Sequence, residues 1–445
     1  MGNLGIFDTA KEAVAAAAAA QKEFVKNYGL DDRERFIAQI RKELQPRIEE
    51  FAKLEYEETG YGRIEDKIGK DTGAIMLSPG TEAVPTGVIA SEKGLTVEYY
   101  APFGVIGAVT PVTNPIATII ANTICMLAGG NTVVFNAHPA SIRCATAAVQ
   151  GVNQAIVNAG GPENICTMPA HPTMETLDDI MFAPEVKLLV GTGGPGMVKT
   201  LMSAGKKVVA AGPGNPPSII DETADLKKAA AGVLASATFD NNLLCIAEKE
   251  IFVVDAIFDA FMDEMEALGN YRMTREEADK VTAVGIVETK DGGHATNKDF
   301  VGKHAKVILK AAGIELPEDA DPRMAFFEAE NDDLYVQVEQ MQPIIPVVRC
   351  KDFEEAMERA VNAEHDCKHS ASIWSKNIDR VTAFGTVINT TVFVQNGGTM
   401  SAFGIGGSGT NSPTIATPTG EGVTGPQSFV RRRRFCMADG GNYLL

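Results

Sequence analysis

Between residues 104 and 212, short apolar runs alternate with longer stretches of helical periodicity. The apolar runs cover residues 105–110, 132–135, 165–168, 188–190 and 208–211, and each ends in Gly, Pro, Asn or Ala-His. Helical stretches near 116–128, 140–159, 173–182 and 195–204 separate them. This alternation predicts a parallel sheet covered by helices on both faces. Because ligands on such sheets bind at the carboxyl ends of the strands, we expect functional residues just after each run.

The rest of the chain extends this α/β pattern. The chain has 445 residues, which suits two or three domains. Residues 9–27 and 31–51 are predicted to form two helices, and the alternation at residues 97–100 indicates a two-stranded excursion. The run Gly-Pro-Gly-Asn-Pro-Pro at residues 212–217 is typical of an interdomain hinge, and a second α/β stretch follows over residues 218–412.

Charge and cysteine usage exclude several classes of protein. The net charge of −18 argues against nucleic acid or an anionic membrane as the main partner. The seven cysteines are scattered and form no Cys-x-x-Cys pair, so neither a disulfide framework nor a structural zinc site is expected. The chain has no apolar run of about 18 residues and no secretion signal at its start, which predicts a cytoplasmic protein with no membrane partner.

Cys245 lies in the run Phe-Asp-Asn-Asn-Leu-Leu-Cys-Ile-Ala-Glu-Lys at residues 239–249, just before an apolar strand. Connections between a helix and a strand often display catalytic side chains, which favours a nucleophile at this position. The alternative is a small buried hydrophobic residue, as most cysteines are. Position alone leaves both interpretations open.

Asn114 follows the first predicted strand in the sequence Thr-Pro-Val-Thr-Asn-Pro at residues 110–115. A side-chain amide at a carboxyl strand end is suited to donating a hydrogen bond to an oxyanion. An Asn-Pro turn explains the same residues equally well. In the tail, Arg431 to Arg434 are expected on an edge strand or at a subunit contact, with phosphate binding as the less favoured alternative.

Two glycine-rich segments and one pair of histidines match known binding motifs only in part. Residues 191–196 and 404–409 both fit Gly-x-Gly-x-x-Gly, but neither has the strand, helix and acidic residue that the dinucleotide fingerprint requires. The first remains plausible as a turn that lets a cofactor approach the backbone. His365 and His369 are spaced for one helix face but lack a third ligand, so we predict no metal site.

Taken together, these segments resemble the aldehyde dehydrogenase superfamily, and most closely its coenzyme A-acylating branch, which includes microcompartment propionaldehyde dehydrogenases. The resemblance extends from about residue 5 to the tail. It is carried by the Cys245 run and by residues 102–107, 113–115, 138–139, 193–196, 214–217 and 417–422.

The resemblance implies a role for each matching residue. Cys245 would be the nucleophile, and the Asn114 amide would hold the oxyanion together with the Cys245 N–H. Glu339 would hold the nicotinamide ribose of NAD. The other residues that would contact this cofactor are Thr110, Pro111, Val112, His138, Pro139, Thr192, Gly193, Gly194 and Pro343.

The absence of one glutamate bears on the second half of the implied reaction, the transfer of the acyl group. Hydrolytic relatives carry a general-base glutamate in a Glu-Leu-Gly-Gly-Lys run, where this chain has Ala-Ala-Gly-Pro-Gly at residues 210–214. Without that base, a coenzyme A thiol is a better acyl acceptor than water. The resemblance therefore implies oxidation of a short aldehyde, propionaldehyde first and acetaldehyde second, to the acyl-CoA. The alternatives are a hydrolytic aldehyde dehydrogenase and a catalytically silent cargo protein of the same fold.

The implied architecture is an α/β fold with a Rossmann-like cofactor domain (1–82 and 102–217), a catalytic domain (218–412) and a small oligomerisation β element (83–101 and 413–445). We expect a homo-oligomer, a dimer or tetramer, in the cytoplasm or inside a bacterial microcompartment. In the resembled microcompartment proteins, a short amphipathic helix that docks to the shell precedes the segment at residues 5–7, where this sequence nearly starts. We therefore expect either that such a helix has been removed or that the protein is not targeted in this way. Two departures, Leu244 in place of a common Pro and the sequence at 406–411, leave the fit of the substrate open.

Overall fold

The structure is a computed structural model that describes residues 3–412 and 414–438. The chain divides into two compact units. The first unit comprises Met1–Thr59, Lys70–Gly212 and Thr410–Leu445, and the second comprises Gly60–Gly69 and Pro213–Gly409. The run predicted as a hinge therefore begins at the boundary between the units.

The elements are numbered in chain order. The helices are α1 (Ala10–Asn27), α2 (Leu30–Leu44), α3 (Ile48–Thr59), α4 (Ile64–Met76), α5 (Pro115–Ala128), α6 (Ile142–Asn158), α7 (Met174–Phe182), α8 (Pro195–Met202), α9 (Leu226–Ala237), α10 (Asp255–Ala267), α11 (Arg275–Gly285), α12 (Ala305–Ala311), α13 (Leu334–Gln337), α14 (Phe353–Ala363) and α15 (Ile378–Ile388). The strands are β1 (Ile6–Phe7), β2 (Gly87–Ser91), β3 (Gly94–Pro102), β4 (Val105–Val109), β5 (Thr132–Asn136), β6 (Cys166–Pro169), β7 (Val186–Thr192), β8 (Lys207–Ala211), β9 (Pro217–Ile220), β10 (Glu250–Val254), β11 (Tyr271–Arg272), β12 (Ile286–Glu288), β13 (His294–Thr296), β14 (Ala325–Ala329), β15 (Ile344–Cys350), β16 (Ser370–Trp374), β17 (Val392–Gln395), β18 (Ile415–Ala416), β19 (Gly422–Val423) and β20 (Val430–Ala438).

The first unit contains a six-stranded parallel sheet in the order β1-β6-β5-β4-β7-β8. The chain runs outward from β4 to β5 and β6, then returns to place β7 on the other side of β4. This reversal of strand order creates a topological switch point between β4 and β7, the place where ligands bind in such sheets. The predicted alternation of strands and helices over residues 104–212 is confirmed.

The N-terminal helices differ from the prediction in one respect. The predicted helix over residues 9–27 is confirmed as α1, which begins at a capping box in which Thr9 and Glu12 exchange hydrogen bonds. The predicted helix over residues 31–51 is wrong, because α2 ends at Leu44 and a single 3₁₀ turn, Gln45–Arg47, leads into α3. Pro46 lies in that turn, and proline lacks the N–H that a continuous helix would need.

A second sheet of the first unit is antiparallel, with the strand order β2-β3-β20. The predicted two-stranded excursion at residues 83–101 is confirmed, and the tail adds a third strand. Arg431 to Arg434 lie on β20, an exposed edge strand, as expected. Large apolar side chains are also exposed on this sheet: Val88, Ile89 and Phe435.

The second unit contains a seven-stranded parallel sheet in the order β11-β14-β15-β10-β9-β16-β17. The predicted second α/β stretch is confirmed. Two separate clusters of buried apolar side chains pack this unit. The four strands that matter for the site, β15, β10, β9 and β16, are consecutive neighbours within this sheet.

None of the helices in residues 3–412 and 414–438 is long and apolar enough to cross a membrane.

Candidate active site

Cys245 lies in the connection between α9 and β10, after the tight turn Phe239–Asn242, where the sequence placed it. The residue as a whole is partly exposed, as is Cys367, whereas Cys125, Cys144, Cys166 and Cys350 are buried. The sulfur of Cys245 itself is buried. Its place on a helix-to-strand connection, where catalytic side chains are often displayed, is therefore what favours the interpretation as a nucleophile.

The three residues Asp240, Asn241 and Asn242 hold the loop before Cys245 in a strained backbone conformation. Their φ angles are 51°, 58° and 64°. This left-handed region costs an L-residue roughly 1–2 kcal/mol, least for Asp and Asn, whose side chains can compensate by hydrogen bonds. Three such residues in a row persist only when the surroundings hold them.

Asn241 is held by residues that are far away in the sequence but belong to the same unit. Its Nδ2 donates to the carbonyl oxygens of Gly62 at 3.2 Å and Gly302 at 2.9 Å. Its Oδ1 accepts from Arg63 Nε at 2.8 Å. All three polar contacts of this buried amide are therefore made by groups outside its own loop.

Asp240 anchors the same loop through charge. Its carboxylate accepts from the Lys67 Nζ at 3.1 Å and from the Arg63 N–H at 2.8 Å, and its own N–H donates to the Asp66 carboxylate at 3.0 Å. Lys67 and Asp240 are both fully buried. Breaking such a pair leaves an uncompensated charge and is strongly destabilising, so the segment Gly60–Gly69 fixes this loop firmly.

Lys249 is fully buried four residues after Cys245. Its Nζ donates to Asn242 Oδ1 at 2.6 Å, to the Asn242 carbonyl oxygen at 3.0 Å and to the Leu244 carbonyl oxygen at 2.9 Å. The ammonium group thus contacts the loop at the residues on either side of Leu243. The only signal in the sequence for such a role of Lys249 is its fixed spacing of four residues from Cys245.

The electrostatic surroundings of Cys245 oppose ionisation. Burial is the main reason why the pKa of the thiol is raised to about 12, and the charge of Glu339 raises it further. The positive charge of Lys249 and the N–H groups of Cys245 and Ile246 act in the opposite direction and favour the thiolate. The thiol is therefore mostly protonated at neutral pH, and Lys249 is the cation that promotes its ionisation.

Glu339 belongs to the same unit as Cys245, and the two are close enough for their charges to interact. Burial raises the pKa of Glu339 to about 7, while the charge of Lys249 and the N–H of Gly214 lower it. This carboxyl group is therefore about half ionised at neutral pH. Pro343 lies four residues later, buried at the start of β15, where its carbonyl accepts from the Ala325 N–H at 3.0 Å.

His369 is a further residue of this region, and the sequence analysis considered it only as a metal ligand. It is buried, with Nδ1 2.9 Å from Ser370 Oγ, and its Nε2 has no hydrogen-bond partner among the residues described. Burial, together with the Lys249 charge, lowers the pKa of His369 to about 4. A Cβ on Gly214 would lie 2.7 Å from His369 Cγ and 3.0 Å from the Cys245 carbonyl oxygen. Gly214 therefore lets the neutral imidazole and the cysteine loop approach the same backbone atom.

His365 does not join His369 in a metal site. Its Nε2 lies 3.0 Å from the Gln337 carbonyl oxygen, and the residue is exposed. Within residues 3–412 and 414–438, no group of three His, Cys, Asp or Glu side chains is arranged to hold a metal ion.

In the first unit, Asn114 follows β4 as the N-cap residue of α5. An asparagine at this position normally accepts a backbone N–H with its side chain, but within the described chain Asn114 makes no such cap. Its Oδ1 accepts instead from Lys70 Nζ at 3.0 Å, and its Nδ2 donates to Thr113 Oγ1 at 3.2 Å. The interpretation as a simple turn residue does not explain why the amide is turned away from the helix.

The switch point of the first sheet is lined by the residues predicted to contact a dinucleotide. Thr110 directly follows β4. Its buried Oγ1 has no hydrogen-bond partner in the part of the chain that is described. Thr192 ends β7, with Oγ1 3.3 Å from Thr414 Oγ1. Gly193 and Gly194 then lead into α8, whose N-cap, Gly194, has no side chain with which to cap it. Pro111 and Val112, partly exposed, follow Thr110.

Helices away from the switch point have their N-termini satisfied by side chains. The Glu58 carboxylate accepts from the Arg143 N–H at 2.8 Å and the Cys144 N–H at 2.7 Å at the start of α6, and Thr173 caps α7. His138 and Pro139 are exposed after β5, and His138 Nδ1 accepts from the Ala140 N–H at 3.1 Å. At the switch point, by contrast, Asn114 and Gly194 provide no side-chain cap for α5 and α8, so N–H groups at these two helix ends are available to a ligand.

The end of β8 carries no acidic side chain. Ala210 and Ala211 are buried, and the Ala210 N–H donates to Thr419 Oγ1 at 3.0 Å. A Cβ on Gly212 would lie 2.8 Å from Pro418 Cγ. This turn therefore leaves no room for a side chain directly after the strand.

The first unit thus holds a doubly wound parallel sheet, and the second displays a cysteine on the loop before β10. The family model described as the aldehyde dehydrogenase family matches residues 7–417. The chain belongs to the aldehyde dehydrogenase family.

Relatives with similarity over the whole chain are known. An acetaldehyde dehydrogenase (acetylating) of Bilophila wadsworthia is 41% identical over 443 residues, which are 98% of this chain and 91% of the relative. A propionaldehyde dehydrogenase from the Clostridium phytofermentans fucose utilisation bacterial microcompartment is 43% identical, with 98% of each chain covered and a TM-score of 0.93. A Rhodopseudomonas palustris propionaldehyde dehydrogenase, solved with bound CoA and an acylated cysteine, is 38% identical, with 98% of each chain covered and a TM-score of 0.93.

Proposed function

We propose that the protein oxidises a short aldehyde, propionaldehyde first and acetaldehyde second, with NAD and transfers the acyl group to coenzyme A. The observation that carries this proposal is the contrast between two strand ends. Cys245 is displayed just before β10, whereas β8 ends in Ala210 and Ala211 and so carries no general base where the resemblance places the glutamate of hydrolytic relatives. The names of the acetylating and propionaldehyde-oxidising relatives support the same reaction.

Cys245 is the proposed nucleophile. Its sulfur attacks the aldehyde carbonyl after losing its proton, and the carbonyl oxygen becomes a negatively charged oxyanion. Loss of hydride from the resulting tetrahedral carbon then leaves a thioester on Cys245. Because the pKa of the resting thiol is about 12, the positive charge of Lys249 matters for generating the thiolate.

Asn114 is the proposed oxyanion donor, together with the Cys245 N–H. An oxyanion needs N–H groups that are already oriented before the charge develops. The Asn114 amide satisfies this requirement within its own unit, because Lys70 occupies its oxygen and leaves N–H donors on the opposite side.

NAD, when bound, supplies the acceptor for the hydride. The first unit fits a dinucleotide through Thr110, Thr192, Gly193 and Gly194 at the switch point, where helix ends lack side-chain caps. Pro111, Val112, His138, Pro139 and Pro343 are the further proposed contacts, and Glu339 is proposed to hold the nicotinamide ribose.

Acyl transfer to coenzyme A completes the proposed reaction. Water is a poor nucleophile without a base, whereas a thiol is a few per cent thiolate at neutral pH and intrinsically reactive. The neutral His369 imidazole lies beside the cysteine loop and is the candidate proton acceptor for that thiol in the second unit. The Rhodopseudomonas relative with bound CoA and an acylated cysteine supports this half-reaction.

We further propose the division into a cofactor domain (1–82 and 102–217), a catalytic domain (218–412) and an oligomerisation element (83–101 and 413–445). The exposed Val88, Ile89 and Phe435 on the β2-β3-β20 sheet support a contact between subunits of a dimer or tetramer. We propose a location in the cytoplasm or inside a bacterial microcompartment, and the origin of the Clostridium relative supports the second of these.

The deciding experiment follows NADH absorbance after mixing the protein with propionaldehyde and NAD, with and without coenzyme A. Sustained turnover only with coenzyme A is expected, together with acyl-CoA detected by mass spectrometry. Equal turnover without coenzyme A would make water the acceptor and the enzyme hydrolytic. No NADH with propionaldehyde, acetaldehyde or NADP in place of NAD would favour a silent protein of the same fold.

A further inference from the structure

Lys70 is a buried cation in α4 that contacts the loop after β4. Its Nζ lies 3.0 Å from Asn114 Oδ1, 3.2 Å from the Thr113 carbonyl oxygen and 2.7 Å from Glu55 Oε1. Lys70 is 7% exposed and Glu55 is fully buried. Burying an ion pair costs desolvation that stability alone repays poorly, so the position of this pair beside Asn114 calls for a functional explanation.

An ammonium group has three donors and no acceptor. The atom of the Asn114 amide that faces Lys70 must therefore be the oxygen, and the NH₂ must point the other way. Without Lys70, the amide oxygen would be drawn toward the free N–H groups at the start of α5, the usual cap position. The NH₂ group would then rotate away from its present direction.

We propose that Lys70 is a positioning residue that locks the Asn114 amide with its NH₂ available to the oxyanion, and that Glu55 holds Lys70 in place. This inference rests on the proposed oxyanion role of Asn114. The contact also has an electrostatic effect, since a cation on the amide oxygen withdraws electron density and makes the N–H a stronger donor.

The test is a double-mutant cycle on kcat with the full-length protein, using Lys70→Met, Asn114→Ala and the combination. Asn114→Ala is expected to lower kcat by about 10²–10³-fold, the usual cost of an oxyanion donor. Lys70→Met alone is expected to lower kcat on the order of 10-fold or more with little change in the aldehyde KM, as for an interaction made only in the transition state. In the Asn114→Ala background, Lys70→Met should change kcat by less than about twofold.

Two further variants separate this role from a merely structural one. Lys70→Met leaves the Glu55 carboxylate with one partner fewer; if this prevents folding, Glu55→Met/Lys70→Met removes both charges and enters the same cycle. Arg41→Met is the matched control. Arg41 donates to the Ile75 carbonyl oxygen at 3.3 Å and the Ser78 carbonyl oxygen at 2.7 Å near the end of α4. Its loss should lower the Tm without lowering kcat.

The outcomes are distinct. A loss from Lys70→Met that disappears in the Asn114→Ala background supports the inference. Fully additive losses, or a kcat for Lys70→Met equal to that of the Arg41→Met control, would overturn it while leaving Asn114 as an oxyanion donor. An unchanged kcat for Asn114→Ala would instead overturn the proposed role of Asn114, and the inference with it.

Discussion

The residues proposed to be functional lie at the carboxyl edge of the first parallel sheet and at the amino edge of the second. In the first unit, Asn114, His138 and Thr192 lie at or after the carboxyl ends of β4, β5 and β7. In the second unit, Cys245 and Glu339 come just before the amino ends of β10 and β15, and Gly214 and His369 come before β9 and β16. The rule that ligands bind at carboxyl strand ends therefore predicts one half of the molecule and misleads for the other.

The difference has a physical consequence for charge. Helices begin at the carboxyl edge of a parallel sheet, so uncapped N–H groups and positive dipole ends are available there for an anionic ligand. At the amino edge helices end, so no free helix N-terminus is available there. At Cys245, burial and the charge of Glu339 raise the pKa of the thiol, and the positive charge of the buried Lys249 acts against both.

The substitution with the largest expected effect tests whether the nucleophile lies at the amino edge of the second sheet. Cys245→Ala should abolish both NADH formation and acyl-CoA formation, because no other group would form the thioester. Cys436→Ala is the matched control, since Cys436 is exposed on β20. Turnover retained in Cys245→Ala, measured by NADH absorbance, would show that the amino edge does not carry the nucleophile.

Lys249→Met should have the next largest effect. It removes a cation that lowers the pKa of Cys245 and leaves oxygens of Asn242 and Leu244 short of a donor, at a cost of about 1–3 kcal/mol in the free energy of unfolding. We expect kcat and the alkylation rate of Cys245 to fall by roughly 10-fold or more, the change that one pKa unit produces. Lys206→Met, which removes a donor to the Ala183 carbonyl oxygen in the first unit, is the control. Equal alkylation rates for both variants would remove Lys249 from the activation of the thiol.

Gly194→Val tests whether a dinucleotide binds at the carboxyl edge of the first sheet. A Cβ at Gly194 meets no atom within 4 Å, and its φ of −66° is allowed for valine, so the Tm should not change. A side chain there should obstruct a dinucleotide and raise the KM for NAD by about 10-fold, equivalent to about 1.4 kcal/mol. Gly73→Ala, in α4 and also without a neighbour within 4 Å, should leave that KM unchanged. An unaltered KM in Gly194→Val would place the cofactor elsewhere.

Glu339→Gln should have the smallest effect, with a distinctive pH dependence. Since the pKa of Glu339 is about 7, its negative charge raises the pKa of Cys245 mainly above pH 7. Iodoacetamide should therefore alkylate Cys245 several-fold faster in the variant one to two units above pH 7, and at nearly the wild-type rate one to two units below it. Peptide mass spectrometry, with Cys436 as internal reference, resolves the site. A rate difference independent of pH would exclude the charge of Glu339 as its cause.

The same substitution has a consequence for stability. Glu339 binds its proton more tightly in the folded chain than in the unfolded chain, so ionisation opposes folding as the pH rises from about 4.5 to about 7. The stability of Glu339→Gln relative to the wild type should therefore increase over that interval and stay level above it. Urea denaturation at several pH values measures this difference.

The sequence predicted the first sheet well because each strand there is a short apolar run closed by a turn residue, a local signal. It also placed Cys245 and Asn114 correctly relative to β10 and β4. The sequence could not predict the buried contacts of Lys70 or the ion pair between Lys67 and Asp240. A lysine is expected at the surface unless its partner, which is distant in the sequence here, is known. The helix predicted over residues 31–51 failed for a local reason, the proline at position 46, whose effect was overlooked.

The three left-handed residues before Cys245 also bear on how the protein folds. Their conformation is not favoured locally, and the groups that hold Asp240 and Asn241 include Arg63 and Lys67, about 175 residues earlier in the chain. A polypeptide that contained only Pro213–Gly409 would lack this segment. The nucleophile should therefore reach its working geometry late in folding, after a contact of high sequence separation has formed. A fragment lacking the segment should contain the cysteine without its arrangement, and a peptide spanning Gly60–Gly69 added in trans is the means to restore it.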